Sequence, residues 1–136
     1  MRALVAGAVA AGLLCAGCGG IKAPDLFLVQ RSGSVPGAAL TLLVNDEGGV
    51  RCNGGPLRKL GDKQLLEARA IQEDLRGPAA KHLSLPPGPR SVLSYRVREE
   101  NGSVSFSEDS SGQPPVFHRL GLFVLQTAQR ACSLPL

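Results

Sequence analysis

The sequence predicts an α+β domain, an antiparallel sheet of about five strands with two helices packed on it, in the order β-β-β-α-β-β-α. Short apolar runs bounded by turn residues indicate strands in two parts of the chain. Two longer segments have apolar residues at helical spacing. The length of 136 residues suits one domain and is too short for two ordinary ones.

The first part of the domain contains three predicted strands, at residues 26–29, 40–44 and 50–52. Gly48 and Gly49 lie between the second and third strands, and glycine supplies the positive φ that a tight hairpin turn needs. Asn53-Gly54-Gly55-Pro56 follows. Because consecutive turn formers do not continue a strand, we expect this part of the sheet to end there.

Residues 62–76 are predicted to form the first helix. Asp62 is a favoured N-cap, and Gly77-Pro78 is expected to end the helix. Its apolar side chains fall on one side at 100° per residue: Leu65, Ala68, Ile71 and Leu75. Residues 77–90 contain four prolines and are predicted to form a long irregular loop.

Residues 92–98 and 103–108 are predicted to form a hairpin, because Asn101-Gly102 is the favoured pair for a two-residue type I′ turn. With these two as the loop, Val97 would pair with Phe106 and Glu99 with Val104. One face of the hairpin is then apolar and the other polar, so one side of the sheet is buried and one is solvated.

The segment 116–132 after Pro114-Pro115 is predicted to form the second helix, with proline accepted in the first turn. Its apolar stripe includes Phe117, Leu120 and Val124, and Cys132 falls on the same side. We therefore expect this helix to turn Cys132 toward the sheet.

The N-terminus has the pattern of an export signal. Residues 1–18 carry one charge, Arg2, and the apolar run 3–14 is shorter than the roughly 20 residues of a membrane-spanning helix. The run leads into Leu13-Leu14-Cys15-Ala16-Gly17-Cys18, which resembles the lipobox of bacterial lipoproteins, with Cys15 where that family usually has an aliphatic residue. An ordinary secreted protein cut near Ala16 or Gly17, or an uncleaved anchor, are the alternatives.

The lipoprotein resemblance implies that residues 1–17 are removed and that Cys18 is acylated, so that membrane lipid is a partner. Residues 18–24 then form a short tether and residues 25–136 the single α+β domain. Two or three acyl chains hold a protein firmly at a membrane. We expect a chain anchored to the cell membrane and facing outside the cytoplasm.

Cys52 and Cys132 remain once Cys15 leaves with the signal and Cys18 carries lipid. In an exported chain a remainder of two cysteines indicates one disulfide, because the compartment is oxidising. Two free thiols or metal binding are the alternatives. We predict no metal site, since His82 and His118 are isolated and no ligand spacing typical of zinc occurs.

The polar face of the predicted hairpin is the candidate recognition surface, and its candidate residues are Arg96, Arg98, Ser105 and Ser107. A merely solvated sheet face is the alternative interpretation. Nucleic acid is not expected as a partner despite the net charge of +4, because the aromatic side chains of the hairpin point to the opposite face.

No catalytic constellation can be assembled from the sequence. His118, beside Arg119, could act as a base only with a nucleophile and an orienting acid, and no motif names them. Glycine-rich phosphate-binding motifs do not occur either. We expect no cofactor and no enzymatic activity. The predicted function is a binding or envelope-associated module with a protein or envelope partner.

The order of elements between Leu26 and Cys132 resembles that of the secreted bacterial subtilisin inhibitors, with a local similarity at Arg51-Cys52-Asn53-Gly54-Gly55. In that family a loop between the first helix and the second hairpin faces the protease. The resemblance implies an alternative function, protease inhibition through residues 81–90. That loop contains no cysteine, whereas the family pins its inhibitory loop with a disulfide.

Overall fold

The computed structural model describes residues 25–134. Within them the chain forms one antiparallel sheet of six strands and two helices, which is the predicted α+β class. The strands and helices are β1 (Asp25–Gly33), β2 (Leu40–Asn45), β3 (Gly49–Cys52), β4 (Leu57–Lys59), α1 (Asp62–Ala80), β5 (Leu93–Glu99), β6 (Gly102–Ser107) and α2 (Pro115–Arg130). The predicted signal, Cys18 and the tether lie outside the described residues.

The strand order across the sheet is β4-β3-β2-β1-β5-β6, so β1 lies in the interior and pairs with both β2 and β5. Successive side chains of a strand point to opposite faces. On β1 this alternation turns Phe27, Val29 and Arg31 to one face, here called the inner face. Leu28, Gln30 and Ser32 point to the opposite, outer face.

Helices α1 and α2 pack on the inner face and close the core. The buried side of α1 consists of Ala68, Ile71, Leu75 and Ala79. Phe117 of α2 stacks on Phe106 of β6 with ring centroids 4.2 Å apart, and Phe123 meets the edge of Phe27 at 5.9 Å. Within residues 25–134, no helix has the length and apolar character needed to cross a membrane.

Cys52 and Cys132 form the predicted disulfide, with their Cα atoms 5.8 Å apart. The bond joins the end of β3 to the segment just after α2, and both cysteines pack against the hydrophobic core. The C-terminal end of α2 is therefore covalently joined to the part of the sheet that contains β3.

The structure has one strand more than predicted. The turn formers after β3 reverse the chain instead of ending the sheet, because Asn53 and Gly54 adopt positive φ angles of 52° and 71°. The chain returns as β4, in which Leu57 pairs with Arg51 and Lys59 with Gly49. This edge strand is short and exposed and carries two cations, features that discourage pairing with another chain.

The predicted register of the β5–β6 hairpin is wrong by two residues. Val97 pairs with Val104 and Glu99 with Gly102, so Gly102 belongs to β6 rather than to the loop. A Cβ atom on Gly102 would lie 2.2 Å from the carbonyl oxygen of Ala79, so this strand end packs directly against α1. A shift of two preserves which residues share a face, and the predicted apolar face is correct.

Helix α1 is longer than predicted, because it continues through Gly77 and Pro78 to Ala80. Proline lacks an N–H and removes one hydrogen bond from the helix. The last turn persists since Ala79 is buried in the core and the Lys81 N–H still donates to the Gly77 carbonyl. Gly61, not Asp62, is the N-cap residue.

Candidate functional site

The four predicted recognition residues lie on the outer face of the sheet. Arg96 and Arg98 belong to β5, and Ser105 and Ser107 belong to β6. Arg96 pairs across the strands with Ser105, while Ser107 pairs with Ser94 and lies 3.2 Å from it, hydroxyl to hydroxyl. Because α1 and α2 pack on the inner face, neither helix covers these side chains, but Ser107 is nevertheless only 2% exposed.

A groove of about 410 Å³ crosses this face, and we call it the outer groove. It brings together three of the predicted residues, Arg96, Ser105 and Ser107, and its walls include Gln30, Leu85 and Pro87. Arg98 lies in a neighbouring concavity, beside Glu99 and Glu100 at the hairpin tip. The sequence therefore predicted the residues at the floor of the groove. It did not predict the wall that Leu85 and Pro87 form, which belongs to the proline-rich loop, residues 81–90.

Arg96 and Arg98 have no acidic partner in the part of the chain that the structure describes. Among residues 25–134, no carboxylate oxygen lies within 4.0 Å of either guanidinium. The outward positions around them on β1 and β6 are apolar or neutral polar: Leu28, Gln30, Ser32, Ser103, Ser105 and Ser107. Arg119, by contrast, is bound by Glu67 and Asp74, whose hydrogen bonds raise the pKa of the Arg119 guanidinium. The charge on the outer face is thus left available for an anion.

The proline-rich loop is fastened along the free edge of β6. The Leu85 N–H donates to the Ser105 carbonyl at 2.8 Å, and the Ser105 N–H donates to the Leu83 carbonyl at 3.0 Å. Further along, the Asp109 carboxylate accepts hydrogen bonds from the backbone of Gly88 and Arg90. The loop is therefore a structured extension of the sheet, and its leucines pack against the core.

A second concavity, here called the inner cavity, lies between α2 and the β1–β5–β6 part of the sheet, with a volume of about 230 Å³. Arg31, Tyr95, Glu108, Gln113 and His118 supply its polar groups. This cavity was not predicted from the sequence.

Arg31 is the most unusual group in the inner cavity, because its side chain is only 3% exposed. Its Nε donates to the Ala38 carbonyl at 2.8 Å and one Nη2 proton to the Gly37 carbonyl at 3.2 Å. Nη1 is buried and has no hydrogen-bond partner among the described residues. A buried cation thus has two neutral acceptors and one unused nitrogen.

Gln113 and Tyr95 stand in the same cavity. The amide nitrogen of Gln113 donates to the carbonyls of Ser107 and Glu108, which fixes the orientation of the amide and leaves its buried oxygen unpaired within the described chain. Burial raises the pKa of the Tyr95 phenol above its usual 10.0, the charge of Arg31 partly offsets the rise, and Glu108 adds to it.

His118 lines the inner cavity from α2 on an exposed turn of the helix. Glu108 lines the same cavity, and its carboxylate accepts hydrogen bonds from the backbone of Val92 and Leu93 at 2.6 and 2.8 Å. Within the described part of the chain no hydrogen bond links His118 to Glu108 or Tyr95. These groups share a cavity without forming a connected acid–base pair.

The sequence held a signal for the inner cavity in the alternation Phe27, Val29, Arg31, which continues the core face of β1 by one more step. Because Arg31-Ser32-Gly33 resembles a boundary, the predicted strand ended too early. No comparable pattern in the sequence indicated Gln113, because its position depends on how the chain turns between β6 and α2.

No protein family, curated protein or solved structure matches this chain. Among residues 25–134, no group of three or more His, Cys, Asp or Glu side chains is placed to hold a metal ion.

Proposed function

We propose that this protein is a bacterial lipoprotein, held at the cell membrane by acylated Cys18 and facing outside the cytoplasm. The lipobox-like sequence before Cys18 supports the anchor, and a disulfide between Cys52 and Cys132 is the form these cysteines take in an oxidising compartment. A tether of residues 19–24 reaches at most roughly 20 Å, so the domain works close to the membrane surface.

The domain acts there as a non-enzymatic binding module, and the outer groove is its recognition surface. The observation that carries this proposal is that the guanidinium groups of Arg96 and Arg98 have no acidic partner among the described residues and lie on a sheet face that neither helix covers. Arginine binds carboxylates and phosphates through a planar set of N–H donors. The partner is therefore an anionic protein or envelope component, to which the half-buried Ser105 can add a hydroxyl contact, whereas Ser107 is buried.

A pulldown from native membranes tests this proposal. The full-length protein carrying Arg96→Gln and Arg98→Gln is compared with wild type and with a control in which Arg58 and Lys59 of β4 are changed to Gln. Both pairs remove two exposed charges from the sheet, but only the first pair lies at the outer groove and its neighbouring concavity.

We expect wild type and the β4 control to capture the same partner, and the outer-face variant to lose it. Capture should weaken as salt is raised, because exposed charges are screened. Equal capture by the outer-face variant would contradict the assignment of the site. Hydrolytic turnover by the purified protein that disappears in His118→Ala would contradict the non-enzymatic role.

Protease inhibition through residues 81–90 is the second candidate. The side chains of Ser84, Pro86 and Pro87 are exposed, and the loop is held at several points, as an inhibitory loop must be. It ranks second because Leu83 and Leu85 already use backbone groups on β6, which removes them from pairing with a protease. A panel of serine proteases that all retain full activity in the presence of the protein would exclude this function.

A further inference from the structure

We propose that the inner cavity binds a small monocarboxylic acid with a compact apolar body, and that its carboxylate lies on Arg31. This site lies on the opposite face of the sheet from the outer groove, although Arg31, Tyr95 and Phe106 line both, and it goes beyond the function proposed for that groove. Four features of the cavity lead to this ligand class.

The first feature is the charge of Arg31. Buried charges in proteins are generally paired, because removing an ion from water is costly. Arg31 is 3% exposed, and no carboxylate among the described residues lies within 4.0 Å of it. Nη1 lacks a partner there but has almost no accessible surface, so an anion in the cavity would gain one charge-assisted hydrogen bond only after a small shift of the guanidinium toward it.

The second feature is the single positive charge of the site. Glu108 lines the same cavity, and its carboxylate is held in place by the backbone of Val92 and Leu93. The charges of Arg31 and Glu108 offset each other, so a dianion such as phosphate would leave the site with two excess negative charges. A monocarboxylate leaves only one, which makes a singly charged ligand the better match.

The third feature is the unpaired oxygen of Gln113. The amide nitrogen already donates to two carbonyls at 2.9 and 3.0 Å, so the oxygen can only accept. A buried acceptor without a donor is unfavourable. A ligand that carries a hydroxyl near its carboxylate would supply the donor once a small shift of the Gln113 side chain exposes the oxygen to the cavity.

The fourth feature is the apolar remainder of the wall, which consists of Leu93, Phe106, Phe117, Leu122 and Leu125. Leu122 is 55% exposed at the mouth, so an apolar ligand would cover part of it. A volume of about 230 Å³ is below the usual range for drug-sized ligands and suits a benzyl or branched alkyl group.

Gly121 keeps the cavity open on the α2 side. A Cβ atom at this position would lie 3.8 Å from the Tyr95 hydroxyl oxygen, an ordinary contact distance. A larger side chain is therefore tolerated by the helix but extends into the cavity. Gly121→Leu blocks the site without removing any polar group.

The test uses 3-phenyllactate as the probe, with the full-length protein in calorimetric titrations. Two analogues separate the contributions: 3-phenylpropane-1,2-diol lacks the charge, and 3-phenylpropanoate lacks the hydroxyl. Tyr95 is the sole tyrosine and the chain has no tryptophan, so tyrosine emission reports directly on this cavity. Gln129→Leu, on an exposed part of the same helix, is the matched control for Gly121→Leu.

We expect 3-phenyllactate to bind and to change the Tyr95 emission, the diol to bind about tenfold more weakly or worse, and 3-phenylpropanoate to bind several-fold more weakly. Gly121→Leu should lose binding and Gln129→Leu should retain it. Arg31→Met should lose the preference for the acid over the diol. If Arg31→Met does not fold, the Gly121→Leu comparison decides whether the ligand binds in the cavity, and the diol comparison decides whether binding needs the carboxylate.

Absence of binding at millimolar 3-phenyllactate would overturn the proposal. So would equal affinity for the acid and the diol, or undiminished binding by Gly121→Leu. Equal affinity for 3-phenyllactate and 3-phenylpropanoate would overturn the role assigned to Gln113.

Discussion

At the residue scale, Arg31 lies on the inner face of the sheet, where it pairs with Leu40 on β2 and with Tyr95 on β5. A cation in this position costs free energy unless acceptors surround it. The carbonyls of Gly37 and Ala38 meet part of that need and hold the β1–β2 connection against the sheet. Arg31 therefore has a structural role on one side and an unused donor on the other.

Tyr95 gives a prediction for pH dependence. Burial raises the pKa of its phenol above 10.0 in the folded state, whereas the unfolded chain has the ordinary value. Between these two values the folded state keeps a proton that the unfolded state has lost. The free energy of unfolding should therefore fall as pH rises from about 10 through the folded-state pKa.

Ultraviolet titration of the phenolate measures this pKa directly, since the chain has one tyrosine. Tyr95→Phe is the control, and its stability should decline less over the same pH range. A titration midpoint at or below 10.0 in the folded protein, or identical declines for the two proteins, would contradict the prediction.

The positions of individual side chains were the least predictable feature of the structure. The alternation on β5 and β6 was sufficient to place Tyr95 and Phe106 in the core and Arg96 and Ser105 on the outer face. Arg31 was missed because a charged residue beside serine and glycine is typical of a strand end. What keeps it in the strand is the carbonyl pair at residues 37–38, which no local pattern reveals.

At the element scale, the loop from Lys81 to Arg90 becomes ordered through contacts far away in sequence. The backbone of Ser105 forms hydrogen bonds with the backbone of Leu83 and of Leu85. Ser110 donates its hydroxyl proton to the Pro86 carbonyl. The three prolines of this loop, Pro86, Pro87 and Pro89, correctly predicted the lack of a helix or long strand there, whereas Pro78 lies within α1. They could not predict the bonds to β6, because those depend on where the hairpin lies in the folded domain.

Asp109 fixes the far end of this loop, and its removal should release it. Asp109→Ala deletes the acceptors for the Gly88 and Arg90 N–H groups, which are 3.0 and 2.8 Å from the carboxylate oxygens. Trypsin should then cut after Arg90 about tenfold faster, because local opening becomes easier by roughly the worth of a charge-assisted hydrogen bond.

Limited proteolysis followed by mass spectrometry measures this rate. Ser111→Ala, an exposed position two residues away, should be cut at the wild-type rate. If Asp109→Ala is cut no faster than this control, the loop is held by other contacts.

The elements themselves were predicted in their order, and the errors lie at their ends. Strand β4 and the last turn of α1 form where turn or helix-breaking residues stand, and both depend on neighbours: β3 for the strand and the core around Ala79 for the helix. The hairpin register shifted because Gly102 meets α1. In each case a long-range contact overrides a local preference.

At the scale of the whole molecule, the disulfide is the strongest constraint on the unfolded chain. It links residues separated by 80 positions, from β3 to the segment after α2. In the chain-entropy treatment a loop of this length stabilises a domain by about 4.5 kcal/mol. Only part of the domain's stability would then remain without it.

Urea unfolding of the Cys52→Ser/Cys132→Ser variant tests this contribution. We expect the free energy of unfolding to fall by about 4 kcal/mol, with the enclosed helix α1 still forming in the folded state. A loss below about 1 kcal/mol would show that the cross-link adds little beyond the packing of the core.

The fold class could be predicted at this scale because it depends on the order and periodicity of elements, which the sequence displays. The outer groove was only half predictable, since its floor follows from strand alternation and its wall from the loop. The proposed anchor at Cys18 rests on the lipobox-like pattern alone. If Cys18 is acylated as proposed, the anchor determines which surface the domain meets.

Intact mass of the protein extracted from its native membrane tests the anchor, and with it the proposed place of action, most directly. We expect a chain that begins at Cys18, carries a diacylglycerol group on the sulfur, and retains one disulfide. A chain that begins at another residue, or one with an unmodified Cys18, would contradict it.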